Sequence, residues 1–231
     1  MKKTLTFILI LFITLQSYAL SSYTASYELY AKTKIGSLNI GTALFVLDVK
    51  DNQYTYTTEA HTDLLWKALY DYSRTEQSIG QEIDGELIST HFSVVERIKN
   101  KVKKNYEITI INRNYAISSN GKEWKIDPGN LVDQLSVYLI LANDVKKNPN
   151  QLEFIYQVAN EDGVEYQKFL VMGHETLNIK DNEMETIVVN CPELRLTLNL
   201  SKAHNFLPVL IHKVNVSSEF KLILKDFKAL S

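Results

Sequence analysis

The chain predicts a mainly β fold: one long, strongly curved antiparallel sheet, an open barrel or clam, around one buried α-helix. Three observations carry that expectation. From Glu193 to Ser201, Leu194, Leu196, Leu198 and Leu200 alternate with Glu193, Arg195, Thr197, Asn199 and Ser201. A period of two puts the leucines on one sheet face and the polar groups on the other, which suits an antiparallel sheet covered on one side and wet on the other. Similar runs recur along the chain with no linker, repeat or low-complexity stretch between them. Finally, one segment after Gly129 has a helical apolar stripe too broad for a surface helix.

The chain starts with a different signal. Lys2 and Lys3 precede an uncharged apolar run, Thr4 to Leu15, and Ser17-Tyr18-Ala19 places small residues three and one positions before a cut between Ala19 and Leu20. This is the pattern of a secretory signal peptide, and the run is shorter than the roughly 18 apolar residues that a membrane span needs. Residues 1–19 are therefore expected to be removed. Residues 20–231 then form a single β-rich periplasmic domain, with no transmembrane span in the mature chain. Removing nineteen residues of 231 leaves 212 and moves the formal net charge from −2 to −4. That is too mild to imply nucleic acid as a partner. Cys191 stands alone, so no intrachain disulfide forms and the fold rests on its core.

Taken in order, Tyr23 to Tyr30, Leu38 to Val49 and Tyr54 to His61 alternate as strands, with Asp51-Asn52 closing a hairpin. Asp63 to Asp71 allows one or two helical turns. Ser73 to Ile83, Leu87 to Ile98, Val102 to Asn112 and Tyr115 to Ile126 follow as strand candidates. Asp84-Gly85 and Asn120-Gly121 are the strongest turn signals, because both pairs tolerate the positive φ of a primed hairpin turn. The helix is expected to start at Asn130 as cap, with Asp133 a helix-start carboxylate beside it. Leu131, Leu135, Tyr138 and Ala142 form its stripe, widened by Val132, Val137, Leu139 and Leu141, so it belongs in the concave face of the sheet. Leu152 to Ala159, Tyr166 to Met172, Thr186 to Asn190, the leucine strand, Leu207 to Val216 and Phe220 to Phe227 complete the series. Gly36 and Gly41 sit where a strand would bend or bulge, and Pro208 marks a strand start.

Several segments together resemble a bacterial exported family known as domain of unknown function 3108. They are Tyr27, Gly36-Ser37-Leu38-Asn39-Ile40-Gly41-Thr42-Ala43 and Tyr54; then Gly85-Glu86-Leu87 with Phe92; then Asp127-Pro128-Gly129 with Asp133-Gln134-Leu135-Ser136, and Phe206-Leu207-Pro208-Val209. The chain is similar to a distant member: Ser89 stands where the family has proline, and Asn199 near a position often held by tryptophan. The resemblance implies a periplasmic β-rich fold and carries over no catalytic residue.

Catalytic chemistry has little footing. His61, His91, His174, His204 and His212 are widely spread, without an HxH or HExxH pair for zinc. His61 with Asp63 is the nearest histidine–carboxylate neighbour, and its spacing suits a strand end. Cys191 reads as a small buried hydrophobe. The expectation is a non-catalytic periplasmic envelope protein without cofactor or metal. It binds a lipid-like or other apolar ligand between sheet and helix, with Leu135, Tyr138, Leu196 and Leu198 as lining residues. The alternative is an envelope interaction or assembly factor with a filled core and a protein partner. Arg97, Lys99, Lys101 and Lys103, at spacing two, read either as a solvated hairpin tip that blocks edge pairing or as an anionic docking patch. The tyrosines, thirteen in all, suit pocket walls or ordinary sheet propensity. N-terminal sequencing of the exported protein should read from Leu20; a membrane-bound form beginning at Met1 would refute the signal peptide.

Overall fold

The computed structural model describes residues 20–230 except 35, 69, 127, 128, 130 and 217. The expected signal segment through Ala19, and the expected cap Asn130, lie outside the described residues. The first half of the chain supplies β1 (Tyr23–Thr33), β2 (Gly36–Lys50), β3 (Gln53–Thr62), the one-turn helix α1 (Leu64–Lys67), β4 (Tyr72–Ile83), β5 (Glu86–Ile98) and β6 (Lys101–Ile111). Next come β7 (Tyr115–Ser118), β8 (Glu123–Lys125), β9 (Leu131–Asp133) and the helix α2 (Ser136–Lys147). The last strands are β10 (Glu153–Ala159), β11 (Val164–Ile179), β12 (Asn182–Cys191), β13 (Leu196–Ser201), β14 (Leu207–Val214) and β15 (Glu219–Ala229).

Among the described residues these fifteen strands form one curved sheet that does not close, in the order β8-β7-β6-β5-β4-β3-β2-β1-β15-β14-β13-β12-β11-β10-β9. Right-handed twist makes a sheet this wide curl. The turns match it: Asp51-Asn52, Asp84-Gly85, Lys99-Asn100 and Lys180-Asp181 all have both residues at positive φ, as primed hairpin turns require. Asn120-Gly121 is different. There only Gly121 is at positive φ, in a longer loop that splits the expected Tyr115 to Ile126 strand into β7 and β8. Bulges add local bends, one of them between Leu29 and Tyr30 opposite Gly41. A Cβ at Gly41 would lie 2.1 Å from the His61 carbonyl oxygen, so the close β2–β3 approach excludes any side chain there.

One face of the sheet is the core. Tyr23, Ala25 and Tyr27 of β1, Ala43, Phe45 and Leu47 of β2, and Tyr54 and Tyr56 of β3 are all buried there. Leu196, Leu198 and Leu200 of β13 join them, on the face expected. The other face of β13 is not wet: Asn199 is 2% exposed and Ser201 fully buried. β11 and β12 run well past their expected ends, and a bulge between Val171 and Gly173 bends the arm they form. Its tip folds over the outside of the sheet, where Lys180 meets Glu28 of β1 at 3.5 Å and Ile179 is buried. Under this arm the Asn199 side-chain amide donates to Glu175 and Thr186, both at 3.1 Å.

The helix starts later than expected. Leu131–Asp133 pairs parallel with β10 as an edge strand, which gives Leu131 and Val132 ladder partners in place of helical ones. Asp133 then caps α2: its Oδ1 accepts the N–H groups of Leu135 and Ser136, both at 2.8 Å, and Ser136 Oγ accepts the Asp133 N–H at 3.3 Å. This reciprocal pair does the capping assigned to Asn130 from the sequence. Every residue of α2 is buried or half-buried, in the concave face against β5, β9, β10 and β14.

Asp133 also ties the edge strand β9 across the curl of the sheet to β4 and β5. Its Oδ2 accepts hydroxyl hydrogen bonds from Ser78 of β4, at 2.6 Å, and Ser89 of β5. Burial pushes its carboxyl pKa up, while hydrogen bonds from Ser78, Ser89 and Ser136 oppose the shift. Asp133→Ala would leave two backbone N–H groups and two hydroxyls unpaired in the core. It should cost about 3 kcal/mol or more. Asp133→Asn, whose oxygen still caps the helix while the serines reorient, should cost clearly less; equal denaturant midpoints for the two variants would refute this role.

Candidate functional site

The helix fills only one half of the concave face. At that end the gaps beside the helix are small, one of about 30 Å³ bounded by Leu20, Tyr23, Tyr56 and Tyr138 among others, and one of about 80 Å³ bounded by Leu87, Leu131, Val132 and Ile140 among others. Both are far below the size of a small-ligand pocket. Leu135, Leu196 and Leu198 are buried in the core, and Tyr138 lines the smaller gap.

The other half of the face holds a cavity of about 330 Å³, within the range of small-ligand pockets. None of the four expected lining residues borders it. Its apolar wall comes from β1, β2, β14 and β15 through Leu29, Phe45, Ile211, Phe220 and Leu222. Its polar wall comes from β3 and β4 through Thr58, Thr62, Tyr72, Arg74 and Glu76. Tyr70 and Tyr72 stack at the rim with centroids 6.0 Å apart and planes within 11°. The deeper tyrosines serve packing: Tyr27 lies 4.6 Å from Phe45, and its hydroxyl donates to the Pro208 carbonyl at 2.8 Å.

The inward face of β4 carries an ion triad. Arg74 reaches Glu76 at 2.7 Å and Glu96 of β5 at 2.6 Å, with all three side chains about one-fifth exposed or less. Burial works against the guanidinium charge, but hydrogen bonding and attraction from the two glutamates outweigh it and raise the Arg74 pKa. Lys213 of β14 borders the same cavity. The side chain is exposed to the open cavity, but partial desolvation by the surrounding walls, and then the positive charge of Arg74, push its ammonium pKa down. Among the described residues nothing binds that ammonium by a hydrogen bond or ion pair.

Arg74, Glu76 and Lys213 escaped the sequence reading, although a signal exists. In Tyr72–Ile83 neither alternating set is apolar, for one runs Tyr72, Arg74, Glu76, Ser78, Gly80 and the other Ser73, Thr75, Gln77, Ile79. A central strand without an apolar face must meet something polar on the inside.

Arg97, Lys99, Lys101 and Lys103 lie exposed at the β5–β6 tip, but not in one row. Lys99 sits in the turn, and a bulge follows Glu96, so Arg97 pairs with Val102 while Ile98 pairs with Lys101. Arg97 and Lys101 therefore project from opposite faces. His61 Nε2 lies 3.2 Å from Thr42 Oγ1 on an exposed surface. Cys191 is buried, its pKa pushed up to about 11 by that burial. Among the described residues no three His, Cys, Asp or Glu side chains group to hold a metal ion, and no helix is long and apolar enough to cross a membrane.

Arg74→Ala would leave Glu76 and Glu96 facing each other without their shared counter-charge. The loss should be about 1–3 kcal/mol, reduced from the fully buried case because water reaches the triad. Mutual repulsion raises the folded-state pKa of glutamates in the variant, so it should regain stability as pH falls through that raised value. Thermal midpoints at neutral and mildly acidic pH check this; a deficit independent of pH would show that the triad's charge is not what matters.

No known protein family and no curated protein matches the chain. Among solved structures it is similar to a β-barrel-like protein of domain of unknown function 1849 from Brucella abortus. The TM-score is 0.59 at 11% identity, with 92% of this chain and 99% of that chain covered. At that identity the likeness is one of fold: this chain has a β-barrel-like architecture.

Proposed function

We propose that the protein is a non-catalytic, exported envelope protein that holds a lipid-like ligand in the open half of its curved sheet. The observation that carries this reading is the 330 Å³ apolar cavity left beside the helix-filled half. Its size suits a single acyl chain rather than a lipid with several, and the wall of Phe45, Phe220 and Leu222 supplies the apolar burial that would drive uptake. Lys213, with no anion bound to it, gives such a chain an attractive partner for a carboxylate head. The signal-peptide pattern of the first nineteen residues supports a periplasmic location. The closely packed half around α2 favours a second reading, an assembly factor that uses its surface alone.

A fluorescent fatty acid separates the two. The wild type should take up the probe, and Ala60→Trp, which projects into the cavity from β3, should abolish uptake while the protein stays folded. Lys213→Glu should weaken an anionic probe about tenfold and a neutral probe little. Failure of the wild type to take up any of several acyl probes would overturn ligand binding and leave the assembly reading.

A further inference from the structure

The connections at the cavity's mouth carry features that the cavity does not explain. Leu64 and Leu65 of α1 are 85% and 88% exposed, far more than a protein needs to show of two adjacent leucines. Both residues that flank the α1 loop, Thr62 and Tyr70, line the cavity, so the leucines stand at its opening. The loop is anchored on both sides. The Asp63 N–H donates to the Ile40 carbonyl at 3.0 Å and Trp66 Nε1–H to the Asn39 carbonyl at 2.9 Å, while the Lys99 N–H donates to the Asp71 carbonyl at 2.7 Å. That last bond brings the β5–β6 tip alongside α1. Val216, in the β14–β15 connection at the same end, is 91% exposed.

Charge around the leucines is biased to one sign. Lys67 follows them, Lys34 stands in the neighbouring β1–β2 turn, and Arg97, Lys99, Lys101 and Lys103 crowd the adjoining tip, all exposed. Against these six cations the α1 loop sets Asp63 and Asp71. The bulge and turn that scatter the four tip charges over both faces of the hairpin suit a surface met end-on, because charges on both faces of a tip reach a plane beneath it.

We infer that this open end docks on an anionic phospholipid bilayer, with Leu64 and Leu65 entering the acyl layer and the basic tip lying among the headgroups. Two bare leucines alone bind a bilayer weakly and so does a modest basic patch; combined they give reversible attachment. The mouth of the cavity then opens onto the membrane surface.

Vesicle co-sedimentation tests this, using phosphatidylglycerol with phosphatidylethanolamine against phosphatidylcholine. The protein should bind the anionic vesicles at least tenfold more strongly, and half-molar salt should weaken the binding. Brominated acyl chains should quench Trp66, which adjoins Leu65. Leu64→Asp with Leu65→Asp should lose vesicle binding at least tenfold with an unchanged melting temperature, and Lys99→Glu with Lys101→Glu should lose it comparably. All variants carry the same N-terminus, so any contribution from it cancels. Both pairs should keep fatty-acid probe uptake within about twofold, which separates docking from ligand binding. Equal binding to phosphatidylcholine, full binding by the leucine double variant, or no vesicle binding with self-association abolished by that variant would each overturn the inference.

Discussion

The fold depends on a buried carboxylate at its seam. A sheet of fifteen strands curls until its ends approach, but β8 and β9 are not joined by a ladder. Asp133 closes the structure with side-chain bonds. One oxygen accepts two N–H groups at the start of α2, and the other accepts the hydroxyls of Ser78 and Ser89 on β4 and β5. One group thus links the end of the edge strand β9, the start of the helix and the strands β4 and β5. An ionised carboxylate in a core is costly unless its oxygens are satisfied, and here four donors meet it. Tyr54 adds to the tight packing beside this site, since a Cβ at Gly80 would lie 2.4 Å from its hydroxyl oxygen.

Much of this frame was legible because the physics is local. Alternation identified the strands of the first half closely, and the turn pairs at Asp51-Asn52 and Asp84-Gly85 declared their positive φ. What was illegible depended on distant partners. The helical stripe from Leu131 was real as a periodicity, but pairing with β10 draws Leu131–Asp133 into the sheet. Nothing near Asn130 in the sequence reports that β10 will lie beside it. The outward face of β13 shows the same limit. Asn199 and Ser201 read as wet, yet both are buried: Glu175 and Thr186 of the β11–β12 arm accept from the Asn199 amide, and Ser201 meets His204. Ser89 and Asn199, both polar positions on strands, are buried hydrogen-bonding groups.

The candidate site was less legible than the frame. Pattern reading seeks apolar faces, so it drew attention to Leu135, Tyr138, Leu196 and Leu198, which lie where the core is best packed. A cavity is a place where packing stops. The strand that marks it, β4, is distinguished by lacking an apolar face, a negative feature that becomes informative only once β4 is known to be central in the sheet.

That polar face also explains why the open half is open. Arg74, Glu76 and Glu96 point into the concave side, with side-chain exposures of 21%, 17% and 16%. Covering them fully with a second helix would strip the remaining water from three charges, a desolvation cost that their mutual attraction only partly offsets. A helix like α2, apolar over most of its surface, would also leave Lys213 facing it without an anion. The apolar wall opposite, Leu29, Phe45, Phe220 and Leu222, asks for the reverse, because its exposure to water is unfavourable. No single protein segment satisfies both walls well. A small amphiphile does: its chain covers the apolar wall, and its polar end stays with the charges and the water at the rim.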